Sequence, residues 1–147
     1  MKIVSFNVRG LGGVLKRMEV GKLVRVERPD FLFLQETKLE VVDNGLCRLL
    51  WVSDKFEWAM KESVGAAGGL LCLWDKLKFV KDRVFTGDGY IGISGDWGPE
   101  RKRCYFVNVY APNNRQKKLK LWVELRHMIV ETVVGGCLLG ILMLFAV

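Results

Sequence analysis

Residues 2–8, Lys-Ile-Val-Ser-Phe-Asn-Val, predict a short buried strand, broken by Gly10, Gly12 and Gly13. Over residues 14–27, Leu15, Met18, Leu23 and Val26 are spaced among charges with the period of a helix, which Pro29 stops. A second apolar run, Phe31-Leu32-Phe33-Leu34, lies between Asp30 and Glu36 and predicts another strand. Strand, helix and strand over about thirty residues form a βαβ-like unit that brings the two strands together. Residues 41–52 are ambiguous, with a short helix as one reading. From residue 56 the pattern changes to consecutive strands at 56–61, 69–74, 79–86, 90–94 and 103–110. Turn residues separate them, including Gly65, Gly87-Asp88-Gly89 and the stretch 95–99, so antiparallel hairpins are expected. Asn113-Asn114 can cap a helix over 115–132, whose expected apolar stripe is Leu119, Trp122, Leu125 and Ile129. The whole predicts an α/β fold rich in strands.

The chain has 147 residues, half of them hydrophobic, which suits one domain and excludes wholesale disorder. Lys and Arg number 23 against 16 acidic residues, a net charge of +7, and this favours an anionic partner. The four cysteines, Cys47, Cys72, Cys104 and Cys137, form no C-x-x-C pair, so a zinc site is not expected. No secretory signal is visible. Free thiols and a nuclear or cytoplasmic location follow as expectations.

Three polar residues fall where strands end: Asn7, Glu36 and Tyr110. Ligands of open α/β sheets bind at strand ends. A carboxylate at the rim of a core suits Mg²⁺, which takes one or two carboxylates together with substrate phosphates and water. Each residue also has a plain structural reading: Asn as a turn residue, Glu as a solvated end, Tyr as packing. The basic stretches Arg101-Lys102-Arg103 and 115–120 suit either a DNA backbone or a solvated face. The five tryptophans are scattered and read mostly as core.

Four ordered blocks add a resemblance. They are Ser5-Phe6-Asn7-Val8-Arg9-Gly10-Leu11-Gly12, the run from Pro29 to Lys38, Gly68-Gly69-Leu70-Leu71-Cys72-Leu73-Trp74, and Asn108-Val109-Tyr110-Ala111-Pro112-Asn113. Together they resemble the endonuclease/exonuclease/phosphatase superfamily, and most closely the endonuclease domain of plant LINE-type retrotransposons. The resemblance implies the N-terminal portion of a two-sheet β-sandwich flanked by helices, and Mg²⁺-dependent hydrolysis of DNA phosphodiesters. It assigns Glu36 to the metal, Asn7 and Tyr110 to the scissile phosphate, and Asn113 to the DNA; Arg115, which opens the basic run 115–120, is a candidate DNA contact from its charge. No protein partner is implied.

Two motifs of that superfamily, Gly-Asp-x-Asn and Ser-Asp-His, are absent from these 147 residues. The only histidine, His127, falls in the 115–132 helix and reads as a surface residue. Hydrolysis is therefore expected to be lost, since removing a general base costs about 10²–10⁴-fold. Residues 133–147 form an apolar tail without charge. Fifteen such residues fall short of the about twenty that span a bilayer, so a tail anchor is an alternative and not the expectation. Restoring one G after the Gly140 codon permits Gly-Asp-Phe-Asn, which predicts a frame shift there. The division expected is a 1–132 domain portion and a 133–147 tail, with exposed apolar faces and poor solubility. A phosphatase of the same superfamily is the second alternative.

Overall fold

The structure is a computed structural model that describes residues 1–134 and 141–145. In chain order it comprises β1 (Ile3–Asn7), α1 (Val14–Glu27), β2 (Phe31–Gln35), α2 (Asn44–Leu50), β3 (Phe56–Val64) and β4 (Ala67–Asp75). Then follow β5 (Phe79–Gly87), β6 (Tyr90–Trp97), β7 (Lys102–Val109), α3 (Arg115–Val134) and β8 (Ile141–Phe145). Two four-stranded sheets result, ordered β1-β2-β4-β3 and β5-β6-β7-β8. Each contains one parallel pair joined across a helix, β1 with β2 and β7 with β8. The remaining pairs are antiparallel.

β2 explains the layering. Its five residues are all buried, so both faces must be covered. Leu32 and Leu34 pack with Val20 and Val24 of α1 and with Leu46 and Leu50 of α2. Phe31 and Phe33 face the other way and join Phe79, Ile91, Ile93 and Phe106 of the second sheet. On the far side of that sheet, Val107 and Val109 meet Leu121 and Leu125 of α3. The order is helices, sheet, sheet, helix, the sandwich that the resemblance implied. Burial of 150–250 Å² per aromatic ring makes the central layer the main hydrophobic store. Phe31 and Phe106 have ring centroids 4.3 Å apart across it.

The strands, the β1–α1–β2 unit and the hairpins match the sequence pattern, but the helix faces do so only in part: of the expected positions Leu125 is buried, Leu23 and Ile129 are partly buried, and the rest are exposed. On α1 the buried positions are Val20, Gly21 and Val24, while Leu15, Met18 and Val26 are exposed. The cause is α2: a side-chain carbon at Gly21 would lie 2.8 Å from the Leu49 carbonyl oxygen, so the helices approach there and set the rotation of α1. On α3, Leu121, Leu125 and Met128 face the sheet, and Leu119 and Trp122 turn outward. Leu119 lies two residues, about 200°, around the helix from Leu121 and so turns away from Val107 and Val109, whereas Leu125 of the expected stripe packs on them. Residues 44–50 form the short helix, with the Asp43 side chain capping Leu46 N–H at 2.8 Å. β6 runs through the expected turn at 95–97 to Trp97, and the turn falls at Gly98–Arg101.

Of the apolar tail, residues 141–145 form β8 along β7, and residues 135–140, 146 and 147, with Cys137 among them, lie outside the described residues. Among the described residues no helix is long and apolar enough to cross a membrane. Burial pushes the Cys47 and Cys72 thiols up to about 12, so both stay protonated at neutral pH.

At the start of β2, the Asp30 carboxylate accepts from Lys2 N–H at 2.6 Å and from Lys78 Nζ at 2.5 Å. Burial opposes its ionisation, but these donors outweigh burial and hold its pKa below 3.8. A lowered carboxylate pKa stabilises the fold above the unfolded value and loses that contribution as the pH falls through the folded one. Asp30→Asn is expected to lower unfolding free energy by about 1–2 kcal/mol at neutral pH. In urea titrations the gap from wild type should narrow as the pH falls below 3.8; a gap independent of pH would contradict the assignment.

Candidate functional site at the shared strand ends

The site begins inside the sandwich. Alternation along β2 turns Phe31, Phe33 and Gln35 to the inter-sheet layer, and alternation along β7 turns Cys104, Phe106 and Asn108 there. Phe31 meets Phe106, and further along both strands Gln35 Nε2 donates to Asn108 Oδ1 at 2.7 Å. Contact therefore advances in the same sense on β2 and β7. Glu36 and Tyr110, the residues that follow, emerge at the same end of the molecule. Parallel pairing sets Asn7 opposite Gln35, so the end of β1 opens onto that rim as well.

Neither Gln35 nor Asn108 was singled out in the sequence, yet they tie the rim together. Asn108 is fully buried and donates through Nδ2 to Leu34 O at 3.1 Å. Gln35 Nε2 also reaches Ser5 Oγ at 2.8 Å, while its Oε1 is a buried acceptor without a partner among the described residues. The available signal was the spacing Phe31-x-Phe33-x-Gln35 matched by Cys104-x-Phe106-x-Asn108, two inward rows that each end in an amide.

Glu36 adopts φ +56°, a left-handed conformation that is strained in any residue but glycine. Its carboxylate is partly exposed, with Oε1 3.6 Å from Lys38 Nζ. The strand ends here because the chain turns onto the β3–β4 hairpin: Thr37 N–H bonds Gly69 O and Lys38 N–H bonds Gly68 O. Gly69, at φ +90°, is required, since a side-chain carbon would strike Thr37 Oγ1. Asn7 is half-buried, and its Oδ1 accepts from Arg9 N–H at 3.1 Å, an Asx-type turn.

Tyr110 is half-buried against the inter-sheet core, with its N–H bonded to Gly89 O at 2.8 Å. Tyr110 and Asn113 line a groove of about 360 Å³. Its opposite wall is the β3–β4 hairpin with Lys61 and Gly69, and Asp88 and Lys117 complete it. Asn7, Glu36 and Arg115 are not on that wall. Glu36 is one residue from Thr37, whose amide bonds the wall at Gly69. Asn114, not Asn113, caps α3, accepting from Gln116 and Lys117 N–H groups. Arg115 is the exposed first residue of α3, followed by Lys117, Lys118 and Lys120. None of these four has an acidic partner among the described residues, and cations at a helix N-terminus oppose the macrodipole. An anion arriving there would relieve both conditions.

The other basic stretch lies elsewhere. Arg101, Lys102 and Arg103 begin β7, roughly 25 Å from its Tyr110 end. They are also paired: Arg103 with Asp82 and Asp96, Lys102 with Glu100, Arg101 with Asp96. Burial disfavours the Asp82 charge, but Arg103 and Ser94 outweigh it and lower its pKa. This cluster is neutralised within the protein and is not part of the rim. His127 is on the exposed face of α3, 3.3 Å from Glu131.

Among the described residues no three His, Cys, Asp or Glu side chains gather into a metal site. One partly exposed carboxylate, Glu36, fits Mg²⁺ shared with water and substrate phosphates, and does not fit an all-protein cage.

No family model matches the chain, and no curated protein matches it. Solved structures do. An endonuclease/exonuclease/phosphatase family protein from Bacteroides thetaiotaomicron aligns with a TM-score of 0.75 at 11% identity, over 99% of this chain and 62% of its own. A mannosyl-6-phosphatase from the same organism gives 0.72 at 12%, over 99% and 64%. An AP endonuclease from Leishmania major gives 0.56 at 22%, over 76% and 40%. The chain thus has the endonuclease/exonuclease/phosphatase fold, and it spans between 40% and 64% of the length of these structures. Both nucleases and phosphatases are among the proteins that share this fold.

The left-handed backbone at Glu36 makes a direct prediction. At an ordinary position glycine is less stable than alanine, but here Glu36→Gly should be more stable than Glu36→Ala by about 1 kcal/mol. Denaturant unfolding of the two variants measures this, and the reverse order would contradict the conformation.

Proposed function

We propose that the chain carries the metal- and phosphate-gripping part of a Mg²⁺-dependent phosphodiesterase that takes DNA, and that these 147 residues bind DNA without cutting it. The observation that carries the reading is the common rim: Asn7 ends β1, Glu36 and Tyr110 follow β2 and β7, and Tyr110 shares a groove with Lys117 of α3, which has no acidic partner among the described residues. The likeness of the four sequence blocks to LINE-type endonuclease domains favours DNA over a sugar phosphate.

Glu36 would hold Mg²⁺ through its carboxylate in place of the Lys38 contact. Bound there, the metal supplies stabilisation of charge on phosphoryl oxygens and acidification of water. Asn7 keeps its Oδ1 on the Arg9 amide, which turns Nδ2 into the free donor for a phosphate oxygen. The Tyr110 hydroxyl donates to a second oxygen. Asn113 and Arg115 meet neighbouring phosphates along the strand, and Arg115 adds a salt-dependent share of affinity. No imidazole stands near the rim to move a proton: His127 belongs to the outer surface of α3 and bonds Glu131. The reading is therefore binding with strongly reduced turnover.

The test pairs binding with nicking. Mg²⁺ is expected to tighten binding of a short duplex DNA to the wild type, and Glu36→Ala to remove that gain. Neither protein should nick supercoiled plasmid above background. Plasmid nicking by the wild type that Glu36→Ala abolishes would overturn the lack of turnover. DNA binding indifferent to both Mg²⁺ and Glu36 would overturn the metal role. Hydrolysis of a small phosphomonoester without DNA binding would favour the phosphatase alternative.

A further inference from the structure

A second cavity, of about 480 Å³, opens at the other end of the first sheet. It lies between the C-terminal turn of α1, the residues after α2 and the β4–β5 turn, with Arg25, Arg28, Pro29, Trp51 and Lys78 on its walls. Pro29 and Asp30 precede β2, whereas Glu36 follows it, so roughly 20 Å of strand separates the cavity from the rim. The two regions share no wall residue.

Its charge is unbalanced. Arg25 and Arg28 are exposed and have no acidic partner among the described residues. Lys78 is held by Asp30, yet its side chain stays about half exposed. The one acidic group on the wall, Asp75, is partly engaged, with Oδ1 accepting from Leu77 N–H at 2.9 Å. Arg25 alone already satisfies the preference for a cation in the last turn of α1. Arg28 needs a separate reason. It caps α1 at φ +46°, with its N–H on Val24 O at 2.8 Å. Glycine is the usual residue at such a cap, and a side chain there is strained. Despite that conformation, Arg28 joins Arg25 among the residues that line the cavity.

We propose that this cavity binds a phosphomonoester carrying an apolar or aromatic group, of mononucleotide size. Two guanidiniums suit the phosphate oxygens, to which they donate in pairs. The exposed side chain of Val52, backed by the largely buried Val24, Pro29 and Trp51 on the same wall, receives the apolar part. The volume falls within the about 300–1,000 Å³ typical of small-molecule sites. The inference is independent of the rim and of its metal.

Calorimetric titration with adenosine monophosphate and with inorganic phosphate tests it. The wild type should bind the nucleotide saturably and more tightly than phosphate, which leaves the apolar wall unused. Arg25→Gln with Arg28→Gln should weaken nucleotide binding by about tenfold or more, and Glu36→Ala should leave it unchanged. Arg25→Gln alone keeps the strained cap intact and should still weaken binding, which separates loss of charge from loss of fold. Absence of saturable nucleotide binding, equal affinity in the double variant, or loss of binding in Glu36→Ala would each overturn the proposal.

Discussion

The amide pair Gln35–Asn108 is the constraint on which the rest of the molecule depends. The aromatic layer between the sheets supplies most of the burial, but apolar contact is non-directional and tolerates sliding of one sheet over the other. A carboxamide buried in that layer does not. Asn108 accepts from Gln35 and donates to Leu34 O, and any slip would leave these groups unpaired away from water. Gln35 in turn reaches Ser5 on β1. Three strands from two sheets are thereby fixed in one relative position, and they are the three that end at Asn7, Glu36 and Tyr110.

Beyond that fixed point the chain spends conformational freedom on the rim. Glu36 is held left-handed because Thr37 and Lys38 are bonded to the backbone of Gly68 and Gly69. On the facing side, Gly89 lets the β5–β6 turn reach the backbone of Tyr110, where any side-chain carbon would sit 2.9 Å from the Tyr110 carbonyl oxygen. Left-handed residues and close approaches accompany the polar residues at this rim, and at the other end of β2 the ion pair of Asp30 and Lys78 holds the strand start.

The strands and the first βαβ unit were legible because β2 is a short apolar run with clear boundaries and the later strands are punctuated by glycine turns. The candidate residues Asn7, Glu36 and Tyr110 were legible as strand ends, although their meeting at one rim required the inter-sheet contacts. Gln35 and Asn108 went unread because polar residues within strands look like solvent-facing positions until the pairing of the two sheets is known. The helix faces were legible only in part, at Leu125, for a different reason. α1 and α3 carry apolar residues on more than one side, so periodicity alone does not choose between them; the Leu49 backbone chooses for α1 and the Val107–Val109 row for α3. Arg101–Arg103 looked like a basic patch because its acidic partners Asp82 and Asp96 lie on other strands.

The most direct test of this account is the solvent exchange of side-chain carboxamide protons, read by NMR on isotopically labelled protein. Asn108 is predicted to exchange slowly and to show cross-peaks to Gln35 and Leu34, while the exposed amide of Asn113 exchanges freely. An Asn108 carboxamide that exchanges as fast as that of Asn113 would contradict the inter-sheet link, and with it the common rim.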